Sequence, residues 1–240
     1  MKLHLPFSIM RQPNDSTCGP TCLHSVYRYY GDEISLDQVI EEVPMLEGGG
    51  TLAVLLASHA LQRGYAATIY TYKLQIFDPS WLVPDGPDLR ERLQAQMKFK
   101  QDPKLLVASQ AYLNYLDLGG QLRLEDLTPS LLRRYVKRSI PVIAGLSSTY
   151  LYRTPREYGP NCDYDDVRGE PTGHFVVLCG YNKESRTVQV ADPLLPNPVA
   201  TSQLYDVNID RVLCAVLLGV LTYDANLLVI QPRRKKSNHG

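Results

Sequence analysis

The chain has 240 residues, 44% of them hydrophobic, and Lys plus Arg and Asp plus Glu both number 25. A balanced charge predicts neither a nucleic-acid partner nor a membrane partner. The longest apolar run, 212–221, is about half of the roughly 20 residues that span a bilayer. The irregular cysteine spacing favours neither disulfides nor a zinc site, at Cys18, Cys22, Cys162, Cys179 and Cys214. We therefore expect a cytoplasmic protein without cofactor or metal, and the oligomeric state stays open.

Helices are predicted first along the chain. Their ranges are 19–30, 36–43 and 51–63. Ser35 and Gln38 have the spacing of a capping box at the start of the second helix. The alternating stretch YAATIYTYKL, which follows the third helix, predicts a strand because it is rich in β-branched and aromatic residues.

The middle of the chain predicts a helical insertion over about 78–127, with two helical patterns at 88–100 and 103–117. Thr128 and Pro129 then have the N-cap and first-turn positions of another helix, and IPVIAGL follows as a buried strand. Residues 147–172 are predicted to be a long irregular loop. Two interpretations of this loop stay open: a part of a substrate cleft or lid, and a solvated surface loop.

The last third of the chain predicts a hairpin from HFVVLCGY (174–181) and TVQVADP (187–193), joined by NKESR. An apolar helix or strand near 209–221 and a strand, NLLVIQP, follow. The fold class is therefore α+β, with N-terminal helices packed on an antiparallel sheet. We expect one domain over residues 1–231 and a disordered basic tail over 232–240, because the tail has no apolar residues to bury.

Cys18 precedes the first helix directly, in the stretch NDSTCGPTC. A thiol attacks as its thiolate, which the free N–H groups and the positive dipole end of a first helical turn stabilise. Asp15, Ser16 or Thr17 could cap this helix. Cys22, four residues later, is expected on the helix face that packs against the sheet. An ordinary buried thiol is the alternative for Cys18, because free cysteines are among the most buried residues.

His174 opens an apolar strand directly after PTG, at a sheet edge, where a general base is well placed. If NKESR is a five-residue turn, Tyr181 pairs with Thr187. Asp192 then lies opposite Val176, one diagonal step from His174. A carboxylate there would orient the imidazole and stabilise its protonated form. A one-residue slip would place the two side chains on opposite faces, and a turn residue without a catalytic role is the alternative for Asp192.

Gln12 lies six residues before Cys18. A turn between them could bring its amide beside the thiol, where the amide and the backbone N–H of Cys18 would stabilise an oxyanion. The Q-x5-C-G-P block at 12–20 and the strand pair GHFVVLCGY…VQVADP resemble the C39 peptidases and the C39-like peptidase family, which are papain-like cysteine peptidases. The resemblance covers about 5–75 and 128–195.

The resemblance implies Cys18 as nucleophile, His174 as base, Asp192 as its orienting partner and Gln12 as oxyanion donor. It therefore implies a cysteine peptidase or amide hydrolase that acts on a peptide or protein substrate. With an amine in place of water, the same residues would perform acyl or peptidyl transfer. A non-catalytic peptide-binding module with a papain-like shell is the other alternative. The chain is most similar to free-standing family members, since we expect no transporter segment in it.

Overall fold

The computed structural model describes residues 2–233 of the chain. Its helices are α1 Cys18–Tyr29, α2 Leu36–Glu42, α3 Ala53–Gln62, α4 Leu89–Phe99, α5 Pro103–Asp117, α6 Pro129–Val136, α7 Ser148–Tyr152 and α8 Ile209–Leu218. Its strands are β1 Lys2–His4, β2 Tyr65–Thr71, β3 Gln121–Arg123, β4 Val142–Ser147, β5 Glu157–Tyr158, β6 Asp163–Tyr164, β7 Gly173–Asn182, β8 Thr187–Ala191, β9 Leu204–Asn208 and β10 Asn226–Pro232. Within this described part, no helix is long and apolar enough to cross a membrane.

Eight of the strands form one sheet in the order β3-β2-β10-β4-β7-β8-β9, with β1 paired to the far end of β7. Neighbouring strands are antiparallel, except that β3 runs parallel to β2. The fold is therefore α+β with a mixed, mostly antiparallel sheet. The prediction of the fold class is confirmed, and the one parallel pair is the departure from a purely antiparallel sheet.

Most predicted helices and strands are confirmed. The capping hydrogen bonds that the sequence predicted at the starts of α2 and α6 are formed in the structure. The Ser35 hydroxyl accepts the backbone N–H of Gln38 at 3.1 Å and starts α2. The Thr128 hydroxyl accepts the N–H of Leu131 at 3.3 Å and starts α6. The apolar stretch 209–221, for which helix and strand were both open, begins with α8 and continues in a 3₁₀ turn.

Helices cover both faces of the sheet. Successive side chains of β7 are buried on alternate faces. Phe175 and Val177 belong to the core formed with α1, α3 and α5, whereas Val176 and Leu178 belong to the opposite core, with α6 and α8. All four side chains are buried. A fully apolar strand is therefore required, since each buried side chain of this size stabilises the fold by about 1.5–3 kcal/mol.

The segment predicted as a helical insertion packs within the first of these cores. The Tyr115 hydroxyl donates to the carbonyl of Ala67 in β2 at 3.0 Å and to that of Gln121 in β3 at 2.7 Å. Tyr112 meets Phe77 edge to face, with ring centroids 4.7 Å apart. The segment also adds β3 to the edge of the sheet, a strand that the sequence did not predict.

Residues 147–172 are not irregular throughout, so this part of the prediction is wrong. The segment begins with α7 and contains the small β5–β6 hairpin. Both the backbone N–H and the hydroxyl of Ser148 donate to the carbonyl of Thr172, each at 3.0 Å. The elements were missed because each is too short to show a periodic pattern.

The C-terminal strand has the predicted bounds, so the predicted start of a disordered tail at 232 is wrong. β10 runs to Pro232, and the Arg233 side chain donates to the carbonyl of Tyr65 at 3.2 Å. The remainder of the predicted disordered tail, 234–240, lies outside the described residues. The assignment of residues 1–231 to one domain stays a prediction.

Two buried residues of opposite charge, Lys73 and Asp224, lie where β2 ends and β10 begins. They are 2% and 7% exposed. Burial raises the pKa of Asp224 to about 7, although the charge of Lys73 opposes this, and burial lowers the pKa of Lys73 to about 8 against the effect of Asp224. The Thr222 hydroxyl donates to Asp224 Oδ2 at 3.0 Å. Each charge is tolerated in the interior because the other is near.

Lys73→Met is expected to lower the free energy of unfolding by about 3–5 kcal/mol at pH 8, because it leaves a buried carboxylate without its cation. The loss should be smaller at pH 5. Without Lys73 the folded pKa of Asp224 rises further above its unfolded value, so stability is lost as pH rises toward the folded pKa. Urea unfolding at both pH values measures this. The matched control is Lys73→Met with Asp224→Asn, which should recover most of the loss and remove the pH dependence; equal losses in both proteins would contradict the pairing.

Candidate active site

Cys18 is the first residue of α1 and lies at its N-terminal end, as predicted. The expected side-chain cap is absent there: Thr17 is the N-cap residue, but its hydroxyl donates to the carbonyl of Asn14 at 3.0 Å and accepts no N–H of the first turn. The first N–H groups of a helix have no partner within it. The backbone N–H groups of the first turn, which begins at Cys18, therefore point out of the N-terminal end of α1. Negative charge is stabilised at this end.

Gly19 allows α1 to approach its neighbours closely. A Cβ at this position would lie 2.7 Å from Thr51 Cγ2, 3.2 Å from the ring of Phe175 and 3.3 Å from Leu56. Thr51 has little freedom to move away, because its hydroxyl is bound to the carbonyl of Pro44 at 2.9 Å. The glycine next to Cys18 therefore sets the distance between the start of α1, α3 and β7.

Gly19→Ala is expected to cost about 1–3 kcal/mol of stability by overpacking and to slow alkylation of Cys18, because α1 must move away from β7. Gly48→Ala is the matched control, since a Cβ there has nothing within 4 Å. Thermal unfolding and the alkylation rate of Cys18 at neutral pH measure both effects. If Gly19→Ala and Gly48→Ala behave alike, the close approach does not position the thiol.

The register of the β7–β8 hairpin brings His174 and Asp192 together in a way that the sequence only partly predicted. Near the turn, Tyr181 pairs with Val188, one residue away from the predicted partner. A β-bulge between Leu178 and Gly180 then shifts the pairing by one, so that Val177 pairs with Ala191. Continuing this register places Asp192 opposite Val176, as predicted. The predicted turn pairing is wrong, and the bulge restores the predicted register at the site.

Asp192 is fully buried, and its carboxylate accepts four hydrogen bonds. Oδ1 accepts from His174 Nε2 at 2.9 Å and from the backbone N–H of Leu194 at 2.9 Å. Oδ2 accepts from the hydroxyl of Tyr152 at 2.8 Å and from that of Tyr205 at 2.6 Å. Burial favours the neutral acid, but His174, the hydroxyl of Tyr205 and the N–H of Leu194 outweigh it and lower the pKa of Asp192. The carboxylate therefore stays ionised in the interior.

His174 is buried between Asp192 and Cys18. Burial lowers the pKa of its imidazole, but the charges of Asp192 and Cys18 and hydrogen bonds to both raise it to about 10. Since Nε2 is bound to Asp192, Nδ1 is the ring nitrogen left for the thiol. The imidazole therefore holds its proton at neutral pH, next to a thiol at the positive end of a helix.

Cys22 lies inside the fold, as expected, and differs from Cys18 in its surroundings. Its thiol donates to the carbonyl of Phe175 at 3.2 Å. Burial, with smaller contributions from Cys18 and Asp192, raises its pKa well above the ordinary value. Cys22 is therefore an unreactive thiol one helical turn below the candidate nucleophile.

Gln12 lies beside both halves of the site. Its backbone N–H donates to the carbonyl of Pro193, directly after Asp192, at 2.9 Å. Its side-chain Nε2 donates to the carbonyl of Asn14, in the turn before Cys18, at 3.0 Å. One N–H of the amide is thus used for this turn, and Oε1 is buried without a hydrogen-bond partner among residues 2–233.

Sequence reasoning missed Tyr152 and Tyr205, which complete the shell around Asp192. Tyr205 lies in β9, where only alternate residues are buried, and the polar residues of LYDVN weaken its strand signal. Tyr152 lies in the segment that was predicted to be irregular. A tyrosine in either setting carries no motif, so only the folded structure shows the two hydroxyls at one carboxylate.

Residues 94–208 match the model of the "Peptidase_C39 like family". This part of the chain, a little under half of it, is similar to that family. The matched segment contains His174 and Asp192, whereas Gln12 and Cys18 precede it. It also contains most of α4 and all of α5, which the resemblance seen in the sequence did not include. No curated protein matches the chain.

Solved structures of several peptidases are similar to this chain. A putative C39-like peptidase from Bacillus anthracis has a TM-score of 0.54 at 15% identity, over 98% of this chain and 100% of that chain. Xylellain, a cysteine protease from Xylella fastidiosa, has a TM-score of 0.46 at 15% identity, over 97% and 86%. The peptidase domain of Streptococcus ComA has a TM-score of 0.46 at 13% identity, over 95% and 99%. The first of these similarities shows a shared fold.

Proposed function

We propose that this protein is a C39-like cysteine peptidase or amide hydrolase that cleaves a peptide substrate. Cys18 is the nucleophile, His174 the acid and base, Asp192 its orienting partner and Gln12 an oxyanion donor. The observation that carries the proposal is the position of the His174 imidazole, which lies between a buried carboxylate of lowered pKa and a thiol. An imidazolium beside a thiol stabilises the thiolate, which is the reactive form.

The reaction follows from these roles. The Cys18 thiolate attacks the carbonyl carbon of the scissile amide, a C–S bond forms, and the carbonyl electrons move onto oxygen. When this intermediate collapses, the C–N bond breaks and the imidazolium of His174 gives its proton to the leaving amine. Water then attacks the thioester while His174 takes a proton from it, and the thiolate leaves. The products are an amine and a carboxylic acid.

The oxyanion of the intermediate needs hydrogen-bond donors that are already in place. We propose that the backbone N–H of Cys18 and the second N–H of the Gln12 amide supply them. Two observations support this role: the helix start carries no side-chain cap, and Gln12 is bound on either side of the site, to Asn14 and to Pro193.

A purely binding protein is less well supported by this arrangement. Burying a carboxylate, an imidazolium and a thiol together is costly, and peptide binding does not require it.

The five cysteines are all free thiols. We therefore also propose a reducing compartment such as the cytoplasm, where a thiol nucleophile keeps its activity.

Cys18 is expected to react with iodoacetamide at pH 7 about tenfold or more faster than Cys214, because the imidazolium of His174 favours its thiolate. Cys214 is exposed, whereas Cys18 is only 8% exposed, so accessibility alone predicts the opposite order. Mass spectrometry of the alkylated peptides gives both rates in one sample. His174→Ala should remove the difference by slowing Cys18 alone.

Slower alkylation of Cys18 than of Cys214 in the natural chain would contradict the proposed nucleophile. A positive result is followed by incubation with a cell lysate, an acid quench and mass spectrometry of the Cys18 peptide. An acyl group on Cys18 that is absent from Cys18→Ser would identify the substrate. Peptide products that gain water, rather than an amine, would show hydrolysis.

Gln12→Ala is expected to lower kcat on the identified peptide by about 10²-fold or more, because one oxyanion donor is lost. The alkylation rate of Cys18 should stay within about twofold, since iodoacetamide forms no carbonyl oxyanion that needs this donor. Gln38→Ala, at an exposed residue of α2, is the control. A proportional loss of both rates in Gln12→Ala would instead show that Gln12 acts by placing the thiol.

A further inference from the structure

We infer that Tyr152 is a positioning residue for the candidate base: together with Tyr205, its hydroxyl holds the Asp192 carboxylate in the orientation that serves His174. The inference rests on the function proposed above and adds a part to it. Residues 148–172 then supply a component of the catalytic arrangement, which neither of the interpretations drawn from the sequence included.

The position of Tyr152 supports this role. Its hydroxyl is 2.8 Å from Asp192 Oδ2, and its ring centroid is 6.0 Å from that of His174, with the planes inclined by 53°. Burial, then the charges of Asp192 and Tyr205, and also that of Cys18, raise the pKa of Tyr152 far above its ordinary value. The phenol therefore stays neutral and can act only as the donor to the carboxylate.

The hydrogen bonds divide between the two carboxylate oxygens. Among residues 2–233, His174 and the N–H of Leu194 donate to Oδ1, whereas only the two phenols donate to Oδ2. A rotation of the carboxylate would break the bonds on both oxygens together. Without the phenols, Oδ2 would be a buried, charged oxygen without hydrogen-bond donors. Rotation or protonation of the carboxylate would then become more favourable.

Hydrogen bonds hold residues 148–172, which include Tyr152, close to the candidate base His174. Ser148, at the start of α7, donates twice to the carbonyl of Thr172, and the N–H of Thr172 donates to the hydroxyl of Thr149 at 3.0 Å. Thr172 lies two residues before His174 in the chain. The two ends of the segment are thus joined beside the site, which gives α7 a defined position relative to β7.

The pH dependence of the site follows from the groups that act on Asp192 and His174. These groups are Cys18, Cys22, Tyr152, Tyr205 and Asp224. Of them, the two tyrosines donate hydrogen bonds to the ionised form of Asp192. Such bonds lower the pKa of a carboxyl group, so losing one raises it. Asp192 should then be protonated at a higher pH, and below that pH His174, which stays protonated, loses the anion that orients it beside Cys18.

The test is the pH dependence of Cys18 alkylation by iodoacetamide, which needs no identified substrate. Tyr152→Phe keeps the ring and removes the hydroxyl, and it should move the acid midpoint of the rate profile upward by about one pH unit. Tyr150→Phe, in the same helix but 37% exposed, is the matched control and should keep the natural midpoint. Tyr205→Phe should shift the midpoint in the same direction as Tyr152→Phe.

Two further measurements separate positioning from simple packing. The low-field proton resonance of His174 Nε2–H, which reports its bond to Asp192, should shift in Tyr152→Phe and not in Tyr150→Phe. Incorporating 3-fluorotyrosine at position 152, a stronger donor of nearly the same shape, should move the midpoint to lower pH. This replacement also keeps the inference testable should Tyr152→Phe fail to fold.

The outcomes are distinguishable. Slow alkylation of Cys18 in the natural chain would refute the proposed function itself. Fast alkylation in the natural chain, with an unchanged midpoint and an unchanged resonance in Tyr152→Phe, would overturn only the role of Tyr152. A midpoint that changes in Tyr152→Ala but not in Tyr152→Phe would overturn it as well, since the ring would then act only by excluding water.

Discussion

The carboxylate of Asp192 is completely enclosed by the fold, and the site depends on how its charge is stabilised there. An isolated carboxylate in such an interior would take up a proton rather than remain charged. Four donors prevent this, and they come from β7, α7, β9 and the turn after β8. The charge in turn stabilises the protonated form of His174, so one buried anion links four elements and the candidate base.

The site also depends on the distance between two layers. Cys18 comes from the helical layer and His174 from the sheet, and they meet because α1 packs on β7 at Gly19 without an intervening side chain. The apolar cores on the two faces of the sheet stabilise this arrangement. The reactivity proposed for the thiol therefore depends on packing as much as on the residue types, since the imidazolium acts on it only at close range.

The hairpin of β7 and β8 illustrates what local reasoning can and cannot predict. Its two strands and the opposition of Asp192 to Val176 were predicted from the pattern. The pairing at the turn was not, because turn length and the bulge at Cys179 depend on how the strands twist against their neighbours. The pairing at the turn and the bulge each shift the register by one residue, in opposite directions. The prediction of the His174–Asp192 contact was therefore correct although the predicted turn was not.

The sequence by itself determined the α+β class and the main helices and strands, and it selected Cys18, His174, Asp192 and Gln12 as candidate site residues, because periodicity, caps and motif spacing are local properties. The tertiary structure alone decided the place of β1, β3 and β9 in the sheet, the helix α7, and the convergence of Tyr152 and Tyr205 on Asp192. The contacts of Tyr152 and Tyr205 with Asp192 join residues 40 and 13 positions apart. Such pairings are selected by the packing of the whole chain and leave no local signal.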